Sequence, residues 1–268
     1  MMLNIFNDEV TFEIKVYQND WEYILKGSYL DEVIARCNFK FKKKVLFINN
    51  VDNIENVKKY ADKKVLQGVL DGYFLVDDYA NEALNYFKIE KESFKGGYYY
   101  SISELVSIYL CETEFLLHFS SDSFLEVSTV NWIDNAIKVF KERDDIIVAN
   151  PTWNFAYKQA KKESISQTDD FYIGYGFSDQ CYLIKNNVFK KQIYNGNHID
   201  SERYPEYGGE LFEKRVDSFM RNHNKLRITS RKVSYIHINF PKSTNFLKKL
   251  YFKFCINKRL NKGLNFKE

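Results

Sequence analysis

Residues 114–125 read E-F-L-L-H-F-S-S-D-S-F-L. Phe115 to Phe119 is an apolar, aromatic run suited to a buried strand, and it stops at the polar cluster Ser120-Ser121-Asp122-Ser123. The pattern holds one acid at the carboxyl end of a central strand. In open α/β sheets ligands bind at that edge, and a carboxylate there can hold a divalent cation and, through it, phosphate oxygens. The same letters also describe a plain Ser/Asp turn with no ligand.

Working outward, the chain alternates strand-like and helix-like segments. Val10 to Tyr17 has period two and many β-branched and aromatic residues, which predicts a first strand. Asn19 or Asp20 then caps a helix from Trp21 to about Cys37, with a bend at Gly27-Ser28. Val45 to Ile48 reads as a second strand, followed by an Asn-rich turn and a helix over Ile54 to Ala61. Tyr73 to Val76 is a third strand, Asp77-Asp78 opens a helix, and Ser101 to Cys111 has helical spacing. Past the central strand, Ser128 or Thr129 caps a helix carrying Trp132, Ile133, Ala136, Ile137 and Phe140, and Ile146 to Ala149 is a fifth strand. These strand-then-helix units with short links imply a mostly parallel sheet covered on both faces.

Beyond Pro151 the pattern loosens. Thr152 to Asp170 reads as a mobile loop over the ligand edge. Phe177-Ser178-Asp179-Gln180 then leads into the strand-like Cys181 to Ile184, and a short helix follows Asn187. Tyr204 to Gly209 is a turn, Glu210 to Asn222 a helix, and Ser234 to Asn239 a last strand bearing His237. Glu210 and Glu213 lie near a helix amino end, where the dipole favours a carboxylate; from the residues alone, helix-capping acids on a solvated face are the plainer reading.

With 268 residues, 45% hydrophobic and 17% aromatic, the chain can bury a large core and is not of disordered composition. It has no apolar run of membrane-spanning length, and Asp8 and Glu9 stand where a signal peptide would be apolar, so neither export nor membrane insertion is expected. Cys37, Cys111, Cys181 and Cys255 are scattered, which suits reduced thiols in a cytoplasmic protein and neither a zinc site nor a disulfide frame. The net charge is +3, from 39 basic and 36 acidic residues. Eight of the basic residues and one acid fall from Lys242 on, leaving 31 and 35 in residues 1–241. That division predicts a slightly acidic body that is not a nucleic-acid binder and a basic tail over 242–268. Phe246, Leu247, Leu250, Tyr251 and Phe254 form one helical stripe in that tail, suited to an anionic membrane surface or to packing on a protein partner. There is no G-x-G-x-x-G, P-loop, H-E-x-x-H or G-x-S-x-G, so the corresponding oxidoreductase, ATPase, zincin and hydrolase readings lack their signatures.

Taken in order, the first strand, the Asn-rich turn, the strand ending in Ser120-Ser121-Asp122, and the later F-S-D-Q-C-Y-L, Y-P-E-Y-G-G-E-L-F-E-K-R-V and Y-I-H segments are similar to family 2-like glycosyltransferases of the GT-A fold, of the kind that build bacterial surface polysaccharides such as capsule or lipopolysaccharide. The resemblance spans Val10 to His237 and implies a mixed, mostly parallel α/β sheet over residues 1–241. It implies an inverting transfer of sugar from a nucleotide-sugar, most simply a UDP-sugar, to a glycan; the basic tail adds the expectation of a cytoplasmic protein that can sit at the inner face of the cell membrane, where a lipid-linked glycan acceptor would lie. Residue by residue, Asp122 matches the last acid of the family's D-x-D motif, which contacts Mn2+ or Mg2+ on the diphosphate. Ser120 replaces the first acid, which weakens the expected metal site, with Ser121 between them. His237 matches a further metal or phosphate ligand. Val16, Tyr17, Asn19, Asn49, Asp52 and Asp77 match positions that cradle base and ribose, Asp179 one that positions a sugar, and Glu213 or Glu210 the base that takes the acceptor's proton. Two other readings are a degenerate transferase fold that only binds nucleotide or glycan, and a nucleotidyltransferase, whose Gly-rich loop is missing at Gln18-Asn19-Asp20.

Overall fold

The computed structural model describes residue 6 and residues 9–240. The basic tail from Lys242 on, with Cys255 and the expected amphipathic helix, lies outside the described residues. The described part is one mixed ten-stranded sheet with helices on both faces. Its strands are β1 (Val10–Val16), β2 (Lys43–Ile48), β3 (Gly72–Leu75), β4 (Phe115–Phe119), β5 (Ser123–Leu125), β6 (Ile146–Trp153), β7 (Ser166–Gln167), β8 (Phe171–Gly174), β9 (Cys181–Lys185) and β10 (Leu226–His237). The helices are α1 (Trp21–Leu25), α2 (Tyr29–Arg36), α3 (Ile54–Leu66), α4 (Val76–Phe87), α5 (Tyr98–Leu110), α6 (Trp132–Glu142), α7 (Tyr157–Glu163), α8 (Asn186–Phe189) and α9 (Phe212–Asn222).

The spatial order is β3-β2-β1-β4-β9-β6-β10-β8-β7, with β5 paired to β10. From β3 to β4 every pairing is parallel; β9 then runs against both β4 and β6, and β6 is parallel to β10. The two-residue period of a strand sorts side chains between two cores. Phe12 and Ile14 of β1 and Phe115, Leu117 and Phe119 of β4 pack on the side of α1, α2, α3 and α6. Leu116 of β4 packs with Ile102, Leu105 and Val106 of α5, and with α4, α8 and α9, on the other side. Glu13 and Lys15 alternate with Phe12 and Ile14, so these two charged side chains belong to the α5 face.

Several boundaries differ from the sequence reading, each for a local reason. The expected helix from Trp21 to Cys37 is two helices, broken at Gly27-Ser28. The cap of α6 is Asn131, whose side-chain oxygen accepts from the Asp134 amide at 3.3 Å, and not Ser128 or Thr129. The fifth strand does not stop at Ala149 but continues to Trp153 through Pro151. Proline is tolerated there because the pairing of β6 with β10 is shifted between Thr229 and Ser234, opposite that point, so no ladder donor is lost. The expected mobile loop over Thr152 to Asp170 is instead the end of β6, α7 and the hairpin of β7 with β8. The last strand begins at Leu226, eight residues before the expected Ser234, since Arg227, Arg231 and Lys232 mask its alternation.

Leu117 is fully buried at the centre of β4. Leu117→Ala should destabilise the protein by about 2–5 kcal/mol, the usual cost of such a truncation, measured as a lower urea midpoint with an unchanged slope.

Candidate functional site

The site begins with the register of two strands. Ile14 of β1 lies opposite Phe119 of β4 in a parallel pair, so the chain leaves both strands at the same edge. Lys15 to Asn19 therefore run beside Ser120 to Asp122. The end of β2 adds Asn49, whose amide is also held beside β1 because its backbone N–H donates to the Val16 carbonyl at 2.9 Å. Asp179 and Gln180 enter just before β9, His237 at the end of β10, and Tyr99 and Tyr100 from the first turn of α5. Together they line a cavity of about 680 Å³.

Of the residues singled out in the sequence, Val16, Tyr17, Asn19, Asn49, Ser120, Ser121, Asp122, Asp179 and His237 all line this cavity. Asp52, Asp77, Glu210 and Glu213 are not part of its lining. Asp52 is exposed and its backbone N–H donates to the Gln18 side chain at 2.9 Å. Asp77 sits exposed in the first turn of α4. Glu210 precedes α9, and its carboxylate accepts from Lys214 at 2.9 Å, so it is engaged away from the cavity. Glu213 lies directly behind the lining: its carboxyl accepts the backbone N–H of Asp179. Gly209 has φ near +60° and any Cβ there would run into the Ser93 carbonyl, so glycine is needed where the chain turns into α9.

The charges around the cavity are strongly coupled. Asp122 Oδ2 lies 3.1 Å from His237 Nε2, and its other oxygen accepts from the Ser120 hydroxyl at 3.2 Å. Burial opposes ionisation of Asp122, but the His237 and Ser120 contacts outweigh it and hold the carboxyl below its usual range. Beneath it Asp20 is fully buried and accepts from the Ser121 hydroxyl and from the Tyr17 amide. Burial pushes Asp20 up to about 8, against the pull of those two hydrogen bonds. Across the cavity Lys15 is ion-paired with buried Glu104 of α5. Ser107, one turn on, donates to Glu13 at 3.2 Å, and Glu13 bonds His118 at 2.5 Å inside the sheet. Glu213 faces Asp179 and Glu104, and burial together with these two acids raises it to about 9 despite Lys15.

Lys15, Asp20, Glu104, Tyr99 and Gln180 were not singled out as site residues. The signal for Lys15 was present: V-T-F-E-I-K-V places Glu and Lys on one face of a strand whose other face is wholly apolar. Glu104 carries no such mark, since an acid in the middle of α5 is legible as buried only when the sheet lies against it.

A divalent cation would find few protein ligands. Among the described residues no group of three or more His, Cys, Asp or Glu side chains could hold a metal ion. Asp122 and His237 together offer one carboxylate and one imidazole, both partly exposed. That donor set fits an ion that takes its remaining ligands from phosphate oxygens and water, as Mg2+ commonly does.

No protein-family model and no curated protein sequence matches the chain. Its likeness to solved structures is at the level of fold. GalNAc-T7, solved with UDP, GalNAc and Mn2+, superposes with a TM-score of 0.51 at 13% identity, covering 87% of this chain and 44% of that one. Glucosyl-3-phosphoglycerate synthase from Mycobacterium tuberculosis, solved with Mn2+, UDP and glucosyl-3-phosphoglycerate, gives a TM-score of 0.46 at 11% identity, over 93% of this chain and 81% of that one. The sheet order and the first of these superpositions identify the fold as GT-A.

The state of Glu213 is testable without a substrate. A carboxyl raised from an ordinary 4.5 to about 9 contributes its full stability below the unfolded value and loses it as the pH rises towards 9. Glu213→Gln mimics the protonated form and removes that dependence. Between pH 4.5 and 9 the difference in urea stability should therefore move steadily in favour of the variant; a constant difference would mean that Glu213 is ionised throughout.

Proposed function

We propose that the protein transfers a sugar from a nucleotide-sugar, a UDP-sugar in the simplest case, to a hydroxyl of a glycan acceptor, with inversion, in the synthesis of a cell-surface polysaccharide. One observation carries this reading: the Asp122–His237 pair and Asp179, with Glu213 directly behind it, meet at one cavity on a GT-A sheet. The first pair suits a diphosphate and its cation, and the second suits an attacking hydroxyl.

The residues divide the work as follows. Asn49 donates its side-chain amide to the Tyr99 carbonyl at 2.8 Å, and its own buried oxygen has no partner among the described residues. An acceptor left open in a cavity wall invites an N–H of the ligand, which a uracil ring supplies. Tyr17, Asn19 and Tyr99 give the base and ribose a wall that is part aromatic and part polar. Asp122 and His237 would hold Mn2+ or Mg2+, whose chemistry is to offset the charge that builds on the departing diphosphate. The acceptor's proton goes to a carboxylate. Within the pair Asp179 is the side chain that lines the cavity, so it is the one to receive it, and burial with the neighbouring acids favours the neutral form of Glu213 behind it. Glu210, tied to Lys214, takes no part. Attachment of residues 242–268 to an anionic membrane face, where a lipid-linked acceptor lies, belongs to the same proposal and rests on the tail's charge and apolar stripe. No helix among the described residues is long and apolar enough to cross a membrane.

The replacement of the first D-x-D acid by Ser120 favours a second reading, a fold that binds nucleotide or glycan without turning it over. Calorimetry with UDP and Mn2+ followed by a donor panel in a transfer assay separates the two. Sugar transfer predicts UDP binding that Asp122→Asn weakens roughly 10- to 100-fold in Mn2+ and hardly at all in EDTA. Asp179→Asn should lower kcat by about 10²–10⁴-fold, the range for a lost general base, with UDP affinity unchanged. UDP binding without turnover of any donor would establish the binding module, and no UDP binding would remove both.

A further inference from the structure

A second hollow, of about 230 Å³, opens beside the first between α7, the ends of β6 and β10, and the loop before β9. Gln180 lines both. Its side-chain oxygen accepts from the Tyr235 hydroxyl at 3.0 Å, so this amide is a fixed partition between them. Whole small-molecule sites usually run about 300–1,000 Å³, and the second hollow is smaller, as a place for one ring would be.

Its lining has a distinctive chemistry. Trp153 is 45% exposed at its rim, whereas Trp21 and Trp132 are 6% and 2% exposed in the core. An indole left open beside a polar hollow offers a flat apolar face. Around it stand planar polar side chains already linked to one another: Gln159 donates to Glu163 at 2.8 Å, Arg227 lies 3.4 Å from the same carboxylate, and the Thr229 hydroxyl donates to Asn150 at 3.3 Å. Glu163 and Arg227 are the charged residues of the lining and have opposite signs, so the hollow carries no net charge. An anion would be repelled by Glu163 and a cation by Arg227. A pyranose matches both halves of the lining: its C–H face is apolar and stacks on an aromatic ring, while its hydroxyl rim takes hydrogen bonds from amide, guanidinium and carboxylate groups.

We infer that this hollow is a subsite for one neutral sugar unit of the acceptor, stacked on Trp153 and bonded by Arg227, Glu163, Gln159 and Asn150. It rests on the sugar-transfer reading and narrows it: the acceptor is a chain of at least two units, one beside Asp179 and one past Gln180, not a small alcohol.

The test uses the full chain on an immobilised array of neutral oligosaccharides of glucose, galactose, mannose and N-acetylhexosamines, with uronic-acid and sialylated glycans as the charged comparison. UDP binding is followed in parallel by calorimetry. Binding of a neutral oligosaccharide, weakened roughly tenfold or more in Trp153→Ala and retained in Trp153→Phe, supports the subsite; that loss corresponds to about 1.4 kcal/mol. UDP affinity should be the same in all three proteins, which shows that the variants are folded. Gln159→Ala, at the surface of α7, should weaken the same glycan while leaving the urea midpoint in place. The inference is overturned if no neutral oligosaccharide binds, if charged glycans bind in preference, or if binding ignores Trp153→Ala. Loss of glycan binding with intact UDP binding removes the subsite alone, whereas absence of UDP binding removes the transfer reading beneath it.

Discussion

The parallel pairing of β1 with β4 is the constraint on which the rest of the molecule depends. It ends two buried strands at one level, and the backbones that leave them have to find partners at that edge. Asp20 supplies some of these by accepting from the Tyr17 amide and the Ser121 hydroxyl, which ties the turn after β1 to the turn after β4. Asp122 is then fixed at the rim through Ser120 on one side and His237 on the other. A one-residue slip of β4 would reverse its faces, putting His118 among the phenylalanines and Phe119 against Glu13, so the register is enforced by both cores at once.

The same alternation explains why so much charge sits inside the α5 face. Glu13, His118, Glu104 and Lys15 are buried or nearly so, and each has a partner of opposite or complementary character. Buried ion pairs of this kind seldom add net stability, because desolvation cancels most of the attraction, yet removing one member leaves an uncompensated charge. Their effect is on the cavity: Lys15 is held against α5, and Glu104 adds to the field that pushes the Glu213 carboxyl up. The electrostatics of the cavity therefore reach two strands and a helix deep into the sheet.

Much of this was legible in the sequence where one local rule governed the outcome. The strand from Phe115 to Phe119 and its polar end follow from an apolar run and a turn, and the break at Gly27-Ser28 follows from glycine. The Asn49 turn and the polar triplet before β9 led to residues that do share the cavity. What was not legible depends on partners far away in the chain. The edge pairing of β5, the long β10 with its shifted register, and the passage of Pro151 through β6 are set by neighbouring strands and not by their own residues. Asp52 and Asp77 were placed by position after strands two and three, but nothing in a linear pattern says whether a turn residue leans toward a hollow or away from it. The GT-A resemblance pointed to residues that share one cavity edge; it could not separate Glu213, which touches Asp179, from Glu210, which is bonded to Lys214.

Gln180 gives the molecule a short yardstick. Because this amide is latched by Tyr235 and borders two hollows, the span from one to the other is set by a single side chain on a braced loop. Shortening it would merge the two spaces, and lengthening it would wall them off, with the sheet untouched in either case. The distance between the two spaces is thus adjustable at one position, without remodelling any secondary structure.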